Sequence, residues 1–208
     1  MKRLILIGLS AIALAACGND GQKQAEATEE STAVEAVSSQ SETKETGYVR
    51  QSTEATVAQI RDIQMGIPNE NAELGPTYEE LVELFEAEAD TYDEFDGGEH
   101  IALWRSPRNQ TSITVRFEND RAIIMTLENE KAKGMPAEDH AAIITDGSVT
   151  YEQLESQFGV PSSYVQAGAG GYNTGLLKWR QADDDSKILQ VDLEDGVVTG
   201  KYPKSGDQ

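Results

Sequence analysis

The chain has 208 residues, with 37 acidic side chains against 17 Lys and Arg, and a formal net charge of −20. Such a charge repels nucleic acid and anionic lipid head groups, so we expect neither as a direct ligand. It is compatible with a solvated acidic surface, with cationic partners, or with loose association of divalent ions.

The first sixteen residues have the three parts of an export signal. Lys2 and Arg3 precede an apolar run from Leu4 to Leu14, and small residues follow. The apolar run is shorter than the ~20 residues that a membrane-crossing helix needs. We therefore predict a signal peptide over residues 1–16. A short uncleaved anchor and an ordinary secretion signal are the alternatives.

Cys17, the only cysteine of the chain, follows this signal. The run Leu14-Ala15-Ala16-Cys17 resembles the lipobox of bacterial lipoproteins, in which the thiol is lipidated and becomes the new N-terminus. A lone thiol cannot form an internal disulfide, and lipidation explains its presence. We expect an extracytoplasmic protein, anchored to the outer face of the cell membrane by lipid on Cys17. Some inner-membrane lipoproteins have Asp directly after the cysteine, whereas this chain has Gly18. Its Cys17-Gly18-Asn19 start looks like that of many Gram-positive surface lipoproteins.

The segment after the cysteine has the composition of a disordered spacer. No Leu, Ile, Phe, Trp or Met occurs between Cys17 and Gln59, while Glu, Ser, Thr, Gln and Ala dominate. Such a segment cannot bury enough apolar surface to offset its ordering entropy. We predict a disordered acidic tether over residues 17–52, which holds the folded part away from the membrane.

The remaining residues contain an internal repeat. Three patterns occur twice in the same order, which makes chance a poor explanation. We predict two copies, 53–132 and 133–203, followed by a C-terminal tail at 204–208. The matches are Thr77-Tyr78-Glu79-Glu80-Leu81 and Phe85 with Thr150-Tyr151-Glu152-Gln153-Leu154 and Phe158; Trp104-Arg105 with Trp179-Arg180; and Ile113, Val115 and Phe117 with Leu189, Val191 and Leu193.

Each copy starts with helical signals. Thr77 and Thr150 are favourable N-cap residues and acids follow them in the first turn. Leu81 with Phe85, like Leu154 with Phe158, gives the four-residue spacing of one apolar helical face. Gly159 is a typical helix stop, with Pro161 just beyond it. Shorter helices are predicted to precede these two, around Thr53–Met65 and Pro136–Ile144.

Strand signals follow the helices in each copy. Ser112–Glu118 alternates apolar and polar residues, and Lys187–Glu194 does so less regularly. Asp195-Gly196 predicts a hairpin turn, and Asn119-Asp120 occupies the same place in the first copy. The predicted fold is α+β: two tandem helix–helix–antiparallel-sheet repeats, with the helices on one face of the sheet.

These residues resemble a known family. The order of the helix, Trp-containing strand and Asp-Gly turn is similar to that in the β-lactamase-inhibitor-like repeats of Gram-positive surface lipoproteins. It is also similar to that in the small lipoprotein of the outer-membrane barrel-assembly machinery. The resemblance covers about residues 55 to 203 and implies one curved, roughly eight-stranded sheet. In the inhibitor that names the fold, the concave face of the sheet binds a partner protein. The matching residues are Gly147, Thr150-Tyr151-Glu152, Leu154, Phe158-Gly159, Pro161, Trp179 and Asp195-Gly196.

The first copy departs from this pattern at three places. Glu86 stands where the second copy has Gly159, no Pro follows, and a longer loop runs from Gly66 to Pro76.

The sequence contains no complete catalytic or metal-binding pattern. His100 and His140, the only histidines, lie at unmatched positions of the two copies and are interpreted as structural or surface residues. The mature chain has no nucleophile elbow, paired-Cys site or zinc-protease motif. We predict no catalytic residues, no metal site and no cofactor.

Two further runs have competing interpretations. The glycine-rich stretch Ala167 to Gly171 lacks the following helix that a phosphate site needs, so a flexible hairpin loop is favoured. The acidic runs Asp90–Glu99 and Asp183–Asp185 lack the ligand spacing of a calcium loop, and solvated loops are favoured over weak ion binding.

Strand parity divides the sheet into two faces. Trp104 and Trp179 share parity with Ala102 and Leu177, which favours core packing over an exposed recognition role. The opposite face is the candidate binding face, and its basic residues suggest a local recognition patch. It consists of Leu103, Arg105, Thr114, Arg116, Lys178, Arg180, Gln190 and Asp192.

Three functions follow from these features. The favoured one is a non-enzymatic surface lipoprotein that binds an unknown protein or envelope component through this face. The second is an accessory lipoprotein of envelope assembly or structure. The third, a hydrolase using carboxylates from Glu79, Glu80 or Glu152, is disfavoured because acids at helix starts have a simpler role.

Overall fold

Two α-helices followed by four strands occur twice in the computed structural model, which describes residues 47–169 and 172–203. The predicted signal peptide, Cys17, the tether before residue 47 and the tail 204–208 lie outside them. The described residues belong to one structural unit, Thr43–Gln208. The helices are α1 Thr53–Arg61, α2 Tyr78–Phe85, α3 Ala137–Ala142 and α4 Tyr151–Phe158, with 3-10 turns at Gly47–Val49 and Ala72–Leu74.

Eight strands form one antiparallel sheet in sequence order, which confirms the predicted α+β class. The order is β1 to β8, so each strand pairs with its neighbours in the chain. Strands β4 and β5 join the two copies through pairs such as Thr126 with Val165. Register shifts in three strand pairs bend the sheet. The strands are β1 Thr91–Phe95, β2 Glu99–Ser106, β3 Thr111–Glu118, β4 Arg121–Asn129, β5 Ser163–Ala169, β6 Tyr172–Gln181, β7 Asp184–Glu194 and β8 Val197–Tyr202.

Both predicted N-caps are confirmed in detail. The Thr77 hydroxyl accepts a hydrogen bond from the Glu80 backbone N–H, and the Glu80 carboxylate accepts one from the Thr77 N–H. Thr150 and Gln153 form the same reciprocal capping box in α4. The two central helices therefore start by the same local mechanism, which sequence alone specifies.

One face of the sheet packs against the helices. Trp104 and Trp179 are 1% and 0% exposed, so their predicted core position is confirmed. In β3 buried and partly exposed residues alternate, with Ile113, Val115 and Phe117 on the buried side. Helix residues such as Leu81 and Leu154 belong to the same core cluster. The helices thus cover one face and leave the other open; we call this second surface the open face.

The predicted hairpin turns are also confirmed. Asn119 and Asp120 both have positive φ, 51° and 62°, between β3 and β4. Asp195 and Gly196, with φ of 46° and 80°, connect β7 and β8 in the same way. Two consecutive left-handed residues match the right-handed twist of the flanking strands, which is why Asn, Asp and Gly occupy these positions.

The predicted end of the tether is wrong by several residues. Gly47–Val49 is a 3-10 turn, and the Tyr48 ring is 1% exposed within the core. Its hydroxyl shares a 3.0 Å hydrogen bond with the Thr111 hydroxyl on β3. Composition is averaged over a whole segment. The polar residues around Tyr48 therefore hid the one aromatic side chain of this segment, which packs in the core.

Three other expectations are corrected. Most of the acidic run Asp90–Glu99 is strand β1 and its turn rather than a loop, since β2 provides a pairing partner. Ala167 to Ala169 belong to β5, and positions 170 and 171 lie outside the described residues. Helices α1 and α3 are shorter than predicted, ending at Arg61 and Ala142.

The two copies differ where α2 and α4 end. Gly159 takes the positive φ, 76°, that ends α4, whereas Glu86 takes φ 51° at the end of α2. The Trp104 indole N–H donates to the Ala87 carbonyl just beyond, at 2.9 Å. The corresponding Trp179 N–H has no hydrogen-bond partner among the described residues. Equal sequence patterns therefore give unequal hydrogen bonding.

Candidate binding face

All eight predicted binding residues lie on the open face. Directly paired residues of antiparallel strands share a face, and Leu103 pairs with Thr114 while Lys178 pairs with Gln190. Arg105, Arg116 and Arg180 are exposed, and the other five are partly exposed. The parity argument therefore placed these residues correctly, and their role in binding stays a prediction.

One continuous line of paired residues crosses the open face from β2 to β7. We call it the central row, and it contains residues that sequence reasoning missed on β4, β5 and β6. All six side chains of the row are partly exposed and three of them are apolar, so the row is a contact surface of moderate hydrophobicity. Its members in order are Leu103, Thr114, Thr126, Val165, Leu176 and Asp192.

Further apolar side chains lie beside the central row. Ile101 and Ile124 both flank Arg116 on the same face. At the far end Ile188 and Tyr202 are 46% and 60% exposed. The missed strand β4 reads Arg-Ala-Ile-Ile-Met-Thr-Leu, in which apolar residues occupy both parities and hide which face is which. Only pairing with β3 and β5 resolves that ambiguity.

Carboxylates lie among the cations of the open face. Arg116 makes a 2.8 Å ion pair with Glu99 on the neighbouring strand. Glu128 lies between Arg105 and Lys178 in strand order and accepts a hydrogen bond from the Ser163 hydroxyl at 2.9 Å. Carboxylates thus alternate with the basic groups, and the face is mixed in charge.

Two shallow concavities lie on this face. The larger, of ≈ 550 Å³, has an apolar floor that includes Val165 and Leu176 and a wall that includes Asp192. The Asp192 carboxylate accepts from the Gln190 amide at 2.9 Å. Gly200 lies close to this carboxylate, since a Cβ there would lie 2.6 Å from Asp192 Oδ2 and would require that side chain to shift. The smaller, of ≈ 290 Å³, includes Arg105.

The histidines lie away from each other and from the central row. His140 on α3 is 3% exposed and donates through Nε2 to the Gln190 carbonyl at 2.9 Å. Burial lowers its pKa, which favours the neutral imidazole. His100 lies 3.1 Å from Asp120 and stacks on Tyr92. In the described part of the chain, no three His, Cys, Asp or Glu side chains group closely enough to hold a metal ion.

Two of the three carboxylates considered for hydrolysis, Glu80 and Glu152, have structural partners. Glu80 closes the capping box of α2, as described above. Glu152 lies 2.5 Å from the Arg61 guanidinium, which lowers the pKa of its carboxyl to about 2. A carboxylate that stays ionised at neutral pH cannot act as a general acid there. These acids therefore stabilise helices.

Residues 47–169 and 172–203 include no helix that is long and apolar enough to cross a membrane.

Comparisons with known proteins gave few matches. No family model matches the chain, and no curated protein has significant similarity to it. A crystal structure of a "putative beta-lactamase inhibitor protein" from Streptococcus mutans aligns with a TM-score of 0.45 and 11% identity, covering 73% of this chain and 97% of that one.

Proposed function

We propose that this chain is a non-enzymatic, extracytoplasmic lipoprotein that binds a protein or another envelope component through the open face of its sheet. The central row is the single observation that carries the proposal. It presents partly exposed apolar side chains on β2, β5 and β6 and threonines on β3 and β4, with cations and carboxylates on either side. An apolar centre with a polar, charged rim is the composition of protein interfaces.

The anchoring part of the proposal depends on Cys17 and the residues before it. Lipid on Cys17 would fix the chain at the outer face of the membrane, and the acidic tether would hold the sheet away from it. The variant Cys17→Ser should either release the protein into the medium or leave its signal uncleaved. Membrane retention of a processed Cys17→Ser chain would contradict the lipid anchor.

The binding part is tested with acidic substitutions in the central row. In the double variant Leu103→Asp/Leu176→Asp, charge is introduced at two partly exposed positions outside the core. The matched control is Leu74→Asp/Ile144→Asp, whose side chains are 44% and 55% exposed and lie outside the sheet. Circular dichroism checks that both variants stay folded.

Photo-crosslinking reads out the interaction in the producing cells. A benzophenone amino acid at Thr126, in the central row, should capture an envelope component that the same group at Ala58, an exposed position of α1, does not capture. We expect at least about a tenfold loss of capture in the central-row variant and none in the control. Equal capture from both positions, or capture unchanged in the central-row variant, would contradict the open face as the binding site.

The absence of catalysis is proposed because the acids at helix starts have structural roles. Glu80 is engaged in a capping box and Glu152 in an ion pair. Turnover of any envelope substrate by the purified full-length chain, abolished by Glu152→Gln, would contradict this part of the proposal.

A further inference from the structure

Strand β1 is an unpaired edge of the sheet. It is the first strand in the order, it pairs with β2 alone among residues 47–169 and 172–203, and all five of its residues are exposed. The opposite edge differs, because the Val198 carbonyl and N–H on β8 bind Gly147 and Val149. An uncovered edge strand presents backbone donors and acceptors to which another strand can bind.

Aromatic side chains flank this edge on both faces. Phe95 is 52% exposed and pairs with Glu99 on the open face. Tyr92 is 38% exposed and pairs with Ala102, so its ring lies on the helix-covered side. The Tyr92 ring is held there by contacts with Tyr78, at 4.6 Å between centroids, and with His100. A strand added beside β1 would therefore meet an aromatic surface on each face.

The charge around the edge has one sign. From Glu86 to Glu99 the chain has seven acidic residues and no Lys or Arg. The side chains of Asp93, Glu94 and Asp96 make no hydrogen bond or ion pair with other described residues. Natural edge strands are commonly protected by charged side chains, especially Lys, by Pro or by a bulge; β1 contains acidic side chains but neither Lys nor Pro.

The negative charge around β1 determines which kind of strand can pair with it. Two copies meeting through β1 would place carboxylates opposite carboxylates, which is destabilising. The chain's own segment 18–46 is also net negative and is repelled in the same way. A strand with Lys or Arg at alternate positions would instead place its cations beside Asp93 on one face and its apolar side chains beside Tyr92 on the other.

We propose that β1 binds an extended basic segment of another protein, which adds to the sheet as a ninth strand. Backbone hydrogen bonds provide the pairing, the Asp93 carboxylate binds a cationic side chain on the open face, and Tyr92 packs against an apolar residue of the segment on the other face. This interaction goes beyond the proposed function, because it uses the edge of the sheet rather than the open face.

The test uses a fluorescein-labelled probe, acetyl-Lys-Val-Arg-Val-Lys-Val-Arg amide, with the full-length chain. An acidic probe with Glu at the four basic positions is the control. Fluorescence anisotropy should show saturable binding of the basic probe only. Its affinity should fall about tenfold between low salt and ~0.3 M salt, because exposed charges are screened. No binding of the basic probe at low salt would overturn the proposal.

Charge reversal separates this edge from general attraction to an acidic protein. Asp93→Lys/Glu94→Lys should weaken binding of the basic probe at least about tenfold. Glu130→Lys/Asp185→Lys makes the same change in net charge at exposed positions elsewhere and should leave the affinity within about twofold. Equal weakening in the two double variants would overturn the proposal.

Hydrogen exchange tests strand addition itself. On binding of the probe, amide protection should rise in residues 91–95 and not in the 3-10 turn at 72–74. Binding without added protection of β1 would show that no strand is added. The proposal is wrong if the Asp93→Asn/Glu94→Gln variant dimerises in sedimentation while the unchanged chain does not bind the basic probe. The acids of β1 would then serve only to prevent pairing between two copies of the chain.

Discussion

The Arg61 guanidinium at the end of α1 lies 2.5 Å from the Glu152 carboxylate on α4, and its Cζ lies 4.3 Å above the Tyr151 ring. The first helix of the first copy is thus bound to the second helix of the second copy. Just beyond α1, the Ile63 carbonyl accepts hydrogen bonds from Gln166 and Asn173 on the second-copy strands. The copies are interlocked, and we expect them to unfold in a single transition.

Removing the guanidinium should shift the titration of Glu152. In Arg61→Met the pKa of Glu152 should rise from about 2 toward its ordinary value of 4.5. Because the folded pKa is depressed, the associated stability is present above pH 4.5 and is lost as pH falls toward 2. The Glu152 side chain is 62% exposed, so screening limits the contribution to about 0.5–1 kcal/mol.

Carboxyl titration by NMR and urea unfolding at pH 7 and pH 3 measure these effects. Arg50→Met, at an exposed position without an ion pair among the described residues, is the matched control. A pKa of Glu152 that stays low in Arg61→Met would show that the helix start, not Arg61, dominates.

The two buried tryptophans should respond unequally to the same substitution. Trp104→Phe removes the hydrogen bond to the Ala87 carbonyl, whereas Trp179→Phe removes an indole N–H without a described partner. Both changes remove similar apolar volume. Trp104→Phe should therefore cost about 1 kcal/mol more free energy of unfolding, as measured with urea. Equal losses, or a larger loss for Trp179→Phe, would contradict this assignment.

A glycine at the end of α2 should stabilise the protein. Glu86 adopts φ 51°, a left-handed conformation in which a Cβ is unfavourable, and Gly159 occupies the matching place in α4. The strain relieved in Glu86→Gly exceeds the added entropy of the unfolded chain, giving a net gain of about 0.5–1 kcal/mol. Glu83→Gly within the helix is the control and should cost about 1 kcal/mol. Thermal unfolding of both variants distinguishes the two effects.

Ionisation of Tyr48, near the start of the described residues, should contribute to the loss of stability at alkaline pH. Burial raises the pKa of its hydroxyl to about 12. The folded state therefore favours the neutral phenol, and this stability is complete below pH 10 and is lost as pH rises toward 12. Tyr48→Phe should remove that part of the alkaline slope and cost about 1 kcal/mol at pH 7, where it loses the Thr111 hydrogen bond.

A truncation tests the corrected tether boundary with the same residue. Tyr48→Ala should cost about 3–5 kcal/mol, as for other large buried aromatic side chains. A chain beginning at residue 53 should be destabilised to a similar degree, and a chain beginning at residue 43 should not. Equal stability of the two truncated chains in urea would restore the boundary at residue 52.

Local patterns predicted much of the fold. The capping boxes at Thr77 and Thr150 and the turns at Asn119-Asp120 and Asp195-Gly196 depend on bonds within a few residues, so sequence was sufficient for them. The positions of Trp104 and Trp179 followed from strand parity. Parity also placed the eight candidate residues on one face, since neighbours along a strand point to opposite sides.

Long-range pairing decided the rest. Val165 and Thr126 became part of one row only when β5 paired with β4 across the two copies. The ion pair of Arg61 with Glu152 joins residues 91 positions apart, and no local signal announces it. The uncovered edge at β1 likewise depends on which strand ends the sheet, a property of the whole assembly.

The sequence by itself determined where helices, turns and strand faces lie, and it remains the only basis for the lipid anchor predicted at Cys17. The tertiary structure decided which strands meet, that Tyr48 belongs to the core, and that Arg116 and Glu99 neutralise each other on the open face. The physical reason is distance along the chain. Helix caps and alternation act over a few residues, whereas packing and ion pairs act between residues that only folding brings together.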